Sequence, residues 1–144
     1  MKVLQALIDG YDTDGGRRPV LLSREFSWFQ CDSADANAIY KRHFPECPDL
    51  TRDLILFHLT ARHSATRIPK LNGVRYLCPA ELKSWSRKAA VERYGQPGYL
   101  ELARPVLNGD RSLAVVYVSY YCGALCASES FYLYTRQGAQ WPRA

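Results

Sequence analysis

The chain has 144 residues, a formal charge of +5, 47% apolar residues and 23% charged ones. That is one domain's worth of chain with an ordinary globular composition, which excludes intrinsic disorder. No stretch approaches the roughly 18 uninterrupted apolar residues of a membrane helix, and no repeat with a period of about 20–50 residues recurs.

Val3, Leu4, Leu7 and Ile8 share one side of a helical wheel, so residues 2–9 read as a short amphipathic helix. The run is too short, and too interrupted by Gln5, to be a signal peptide. Residues 10–18 form a loop by composition. Within it Asp12-Thr13-Asp14-Gly15 imitates part of a calcium loop. Gly10 and Leu21 stand where further ligands belong, so solubility is the expected role and no metal site is expected. Pro19 to Phe26 reads as a strand. Ser33 or Asp35 caps a helix to Phe44, ended by Pro45 and Pro48. Asp49 caps a second helix to His63, with Leu50, Leu54, Phe57, His58 and Ala61 on its inner side.

Arg67–Gly73 reads as loop and Val74–Cys78 as a short strand. Pro79 opens a helix to Tyr94, which Gly95 and Pro97-Gly98 stop. Tyr99–Leu107, Leu113–Cys122 and Ser130–Arg136 are strand-like, with a tight turn at Asn108-Gly109-Asp110. Gly138 turns the chain towards Trp141. The expected class is α+β in a single domain, residues 1–144: helices of the N-terminal two thirds packed on a C-terminal antiparallel β-meander.

Charge is uneven along the chain. Residues 1–50 hold six basic and eight acidic side chains, 51–100 nine and three, and 101–144 four and three. The basic middle, with Arg62, Arg67, Lys70, Arg75, Lys83, Arg87, Lys88 and Arg93, is dispersed rather than polybasic. It reads as a solvated helix face, and nucleic acid is not the expected partner. No P-loop, GxGxxG or GxSxG is present. His58 and His63 are five apart and share no helix face, and His43 stands alone. No catalytic residue and no cofactor is assigned. Glu101 and Glu129, on or near strands, are available as paired carboxylates, but no spacing in the sequence joins them.

Five cysteines suit two bridges and one free thiol in an oxidising compartment. Cys122-x-x-x-Cys126 reads as a structural disulfide pinning a loop, because a redox dithiol normally has two intervening residues. Cys31 and Cys47 flank a predicted helix and are the second expected pair, leaving Cys78.

The last third resembles an uncharacterised family of small exported or lipid-anchored bacterial proteins with a tail of the form "ALVYV…CG-x-LCG…G-x-W". The matching residues are Trp85, Tyr94, Gly98, Arg104, Leu107-Asn108, Ala114–Val118, Cys122-Gly123-x-Leu125-Cys126, Gly138 and Trp141. Similarity extends over residues 50–142 and more weakly over 3–24. It departs where Ala127 replaces the glycine after the second cysteine, and Glu129 and Ser130 lack the glycine that follows. The resemblance implies a periplasmic or exported protein whose leader is absent from this sequence. The alternative is a cytoplasmic one.

Tyrosines dominate the C-terminal strands. Strand alternation makes one face carrying Tyr117, Tyr121, Tyr132 and Tyr134 together the expected arrangement. With Arg104 and Arg136 they form the candidate binding residues, because tyrosine and arginine supply rigid contact area with polar tips. The expected function is a non-catalytic interaction protein of the bacterial envelope, with a toxin-neutralising immunity protein as one form and another protein as partner. The alternative is a thiol-dependent enzyme or redox protein using Cys78 or Cys122/Cys126. Oligomeric state is left open.

Overall fold

A computed structural model describes residues 2–11, 18–26 and 67–144. The expected helices over 33–44 and 49–63, the Asp12–Gly15 loop, the three histidines and the Cys31/Cys47 pair lie outside the described residues.

The described elements are α1 (Lys2–Asp9), β1 (Val20–Ser23), β2 (Val74–Leu77), α2 (Pro79–Lys83), α3 (Arg87–Tyr94), β3 (Tyr99–Leu102), β4 (Val106–Leu107), β5 (Leu113–Tyr121) and β6 (Ala127–Thr135). The expected arrangement of helices on a C-terminal meander is overturned. The six strands form one mixed sheet and the three described helices are short. β1 comes from the N-terminal part yet lies inside the sheet, parallel to β2 on one side and to β3 on the other. The reason is in its residues. All four positions of β1 are buried, and a strand apolar on both faces is stable only with neighbours on both sides.

β5 is the long central strand. It pairs antiparallel with β6 along its whole length, and on its other edge with β3 and then β4. One expected strand, Tyr99–Leu107, is therefore two. Leu102 faces Val118 and Val106 faces Val115, so Ala103, Arg104 and Pro105 stand against only Val116 and Tyr117. This is a β-bulge, and Pro105, with no N–H for the ladder, sits in it.

The expected helix over 79–94 also divides. Ser86 caps α3 by accepting from the Ala89 N–H at 3.1 Å, and Gly95, at φ 70°, ends it. The break frees Trp85 to stack on Tyr94 and meet Tyr99 edge-on, over Leu21 and Leu77. On the opposite face α1 buries Val3, Leu4, Leu7 and Ile8 against Leu22, Leu100, Leu102, Val116 and Val118. Each such side chain contributes about 1.5–3 kcal/mol on leaving water.

Candidate functional site

The bulge has a consequence for charge. Arg104 sits in it, exposed, with its guanidinium 5.9 Å from the Phe26 ring. A bulge re-aims the side chain it carries, and Arg104 lines a cleft of about 780 Å³ between α1, β4 and the C-terminal segment.

Two turns close the same cleft. In the β4–β5 turn the Asn108 N–H donates to the Leu113 carbonyl, and the Asn108 side chain accepts from the Leu113 N–H at 2.9 Å. The left-handed position of this turn is Arg111, at φ 58°, rather than the expected Asn108-Gly109. A bulky residue there is strained, and such strain clusters at working sites. The second turn follows β6. Gly138, at φ 61°, lets Gln137 pair with Gln140, and the Arg136 Nε donates to the Gly138 carbonyl at 3.1 Å. The turns are tied to each other, since the Arg136 N–H donates to the Ser112 carbonyl at 2.7 Å.

Arg104, Arg111, Arg136 and Lys2 thus line one cleft, and no carboxylate is among its described lining residues. Asp110 lies beside it in sequence, but its carboxylate accepts from the Ser112 N–H at 2.9 Å and is held below its ordinary pKa by the Ser112 hydrogen bonds. Val3, Val106 and the half-buried Trp141 give the cleft an apolar wall. Four cations beside apolar surface, with no carboxylate among the described lining residues, suit an anionic ligand.

The structure brings together two of the six sequence-derived binding residues, Arg104 and Arg136, in this cleft. It divides the tyrosines. Tyr117 pairs with Phe131 and Tyr121 with Ala127, which puts both on the α2–α3 face. Tyr132 faces Val116 and Tyr134 faces Ala114, which puts them on the α1 face. The expectation of one tyrosine face is corrected. Consecutive strands pair in an antiparallel register fixed by their turn, and that register sets odd residues of β5 against odd residues of β6.

Each pair has its own surroundings. Tyr132 and Tyr134 border a neighbouring cavity of about 330 Å³ with Tyr11, Trp141 and Arg143, whose guanidinium lies 4.0 Å over the Tyr132 ring. Burial, followed by the hydrogen bond with Tyr132, holds Tyr11 far above its ordinary pKa. Tyr117 is buried beside Phe131, at 5.1 Å. Tyr121 packs on Tyr99.

The register also supplies the missing spacing for the carboxylates. Ser119 pairs with Glu101 on one side and Glu129 on the other, so the two glutamates flank it on one face. Cys122 and Cys126 are in disulfide contact, with Cα atoms 5.2 Å apart. Cys78 is exposed, and its thiol donates to Glu81 Oε1 at 3.4 Å.

Sequence reasoning missed Lys2 and Arg111 as site residues. It used Trp141 only as part of a resemblance. The available signal was Arg104-Pro105 inside a strand-like run, because proline there marks a bulge or an edge. No protein-family model, curated protein or solved structure matches the chain.

Proposed function

We propose that the chain is a non-catalytic binding protein that takes an acidic partner protein into the cationic cleft. The observation that carries this reading is the convergence of Arg104 and Arg136, 32 residues apart in sequence, with Lys2 and Arg111 on a cleft whose described lining has no carboxylate. Clustered cations at a concave surface raise the local concentration of anions and speed their association. Trp141 and Val3 add apolar surface at which a protein partner can anchor.

The envelope of a bacterium is the proposed setting. The Cys122–Cys126 contact supports an oxidising compartment, and the family resemblance of the last third points the same way. A toxin-neutralising protein is the concrete form, its basic cleft covering an acidic surface of the toxin.

The test uses an octaglutamate peptide as probe. It binds the wild-type chain with an affinity that falls steeply with salt. The exposed-surface double variant R104E/R136E weakens binding at least tenfold with an unchanged melting temperature. Equal binding by wild type and double variant overturns the reading.

A further inference from the structure

We infer that the tyrosine cavity beside the C-terminal segment binds a small aromatic carboxylate, held by the Arg143 guanidinium and the Tyr134 hydroxyl; this stands apart from the cationic-cleft reading above. The backbone sets the geometry. The Thr135 N–H donates to the Pro142 carbonyl and the Ala144 N–H to the Leu133 carbonyl, so residues 142–144 lie extended and antiparallel against the end of β6. That pairing sets Arg143 opposite Tyr134. Cross-strand neighbours share a face, and diagonal ones stay within reach of long side chains. Arg143 accordingly reaches Tyr132, two residues back from Tyr134, and its guanidinium lies 4.0 Å from that ring's centre.

Polar groups converge at this place. Tyr11, just beyond α1, shares a hydrogen bond with Tyr132 and lies within electrostatic reach of Tyr134 and Arg143. Tyr134 is 5% exposed, yet among the described residues no hydrogen bond is made to or by its hydroxyl. The Arg143 guanidinium has the Tyr132 ring but, among the described residues, no hydrogen bond and no ion pair. A buried hydroxyl without a partner is costly, and native proteins carry few. Both groups line the cavity of about 330 Å³, a size within the roughly 300–1,000 Å³ of small-molecule pockets. A ligand there supplies the partner that the fold does not.

The ligand class follows from charge and shape. Aromatic walls alone suit a cation. Here Arg143 already takes the Tyr132 face, and no carboxylate is among the described lining residues, so a second cation would meet a like charge. An anion is favoured. The guanidinium fork matches a carboxylate with two parallel N–H bonds. One cation balances its single charge, whereas a phosphate dianion would keep a net charge. The Tyr134 hydroxyl donates to the same carboxylate. Trp141, Tyr11 and Leu7 offer flat and apolar surface to the body of the ligand.

The test is an NMR titration of the full chain with four probes: benzoate, benzamide, phenyl phosphate and benzyltrimethylammonium. Benzoate gives saturable shifts at the Trp141 indole N–H and at residues 132–134 and 141–143. Benzamide, the same shape without the charge, binds at least tenfold more weakly. R143Q and Y134F each weaken benzoate at least tenfold, the scale of a hydrogen bond to a charged group. Y134F does so without lowering the melting temperature, because the hydroxyl it removes has no partner in the ligand-free protein.

Tighter binding of benzyltrimethylammonium than of benzoate makes the cavity a cation cage and overturns the inference. Tighter binding of phenyl phosphate overturns the carboxylate. A lowered melting temperature in Y134F shows that the hydroxyl is already satisfied within the chain and overturns its role. Arg143 is exposed, so R143Q keeps the packing and reads binding alone. Unchanged benzoate affinity in R143Q, shifts at Lys2, Arg111 and Arg136 instead, or binding by none of the four probes each overturn the site and leave the cationic cleft standing.

Discussion

The Tyr117 hydroxyl on β5 and the Glu129 carboxylate on β6 share a hydrogen bond diagonally across the sheet. Burial, that bond and the charges of Glu129 and Glu101 together hold Tyr117 far above the ordinary tyrosine pKa. Nearby, burial and then Glu101 push Tyr99 up to about 12. Both phenols therefore bind their protons more tightly folded than unfolded. Their contribution to stability is complete below about pH 10, the unfolded value, and is lost as pH rises through the folded ones. Denaturant unfolding at stepped pH shows a decline beginning near pH 10. Y99F flattens that decline, and a slope unchanged by Y99F contradicts the assignment.

Glu101 is shifted in the opposite sense to a surface carboxylate. Its half-buried position raises its pKa, and the Tyr99 hydrogen bond only partly offsets this. The folded state therefore favours the protonated form, and the stabilisation from protonation is lost as pH rises through the folded pKa. Glu101→Gln removes the buried charge and keeps a hydrogen-bonding side chain. It is more stable than wild type at neutral pH, and the gap closes on acidification. Melting curves at pH 7 and pH 4 check both halves.

Gly98 is required by close approach. A Cβ there would stand 2.6 Å from the Tyr121 carbonyl oxygen and from the Tyr120 ring. Backbone cannot yield cheaply at that distance, so Gly98→Ala costs about 1–3 kcal/mol, the range for overpacking. Urea unfolding measures it, and a neutral result would mean that β3 and β5 separate more easily than their pairing indicates.

The bridge between Cys122 and Cys126 closes a very short loop. Chain-entropy arguments give about 2 kcal/mol for a loop of this size. C122S/C126S lowers unfolding free energy by about that amount and leaves octaglutamate binding unchanged, because the loop lies outside the cationic cleft. Loss of binding in this variant would place the loop in the interface.

Local chemistry was legible in the sequence. Val3, Leu4, Leu7 and Ile8 declared α1, and the strand-like runs Val74–Cys78 and Leu113–Cys122 declared β2 and β5 to within a residue. Sheet membership was not, because nothing in Val20–Ser23 states which strands it will lie between. That depends on pairing with residues 54 and 78 positions away. Break points were also hidden. Ser86 competes as an N-cap with continuation of the helix from Pro79, and Trp85 at the break packs edge-on against Tyr99. The site was half legible. Arg104 and Arg136 were identified as residue types suited to recognition, but their meeting place depends on a one-residue bulge and on two turns tied through Ser112. The tyrosine face failed for the same reason: alternation is local, and the register that aligns two strands is not.

The proposed binding place for acidic ligands is the cleft of Arg104, Arg111, Arg136 and Lys2 rather than the basic residues of β2 and α3. The most direct measurement is a backbone and arginine side-chain NMR titration with octaglutamate at low and at physiological salt. Binding in the cleft gives salt-sensitive shifts concentrated at residues 2–3, 104–111 and 136–141. Shifts concentrated instead at Arg75, Arg87, Lys88 and Arg93, or no shifts at either place, would contradict it.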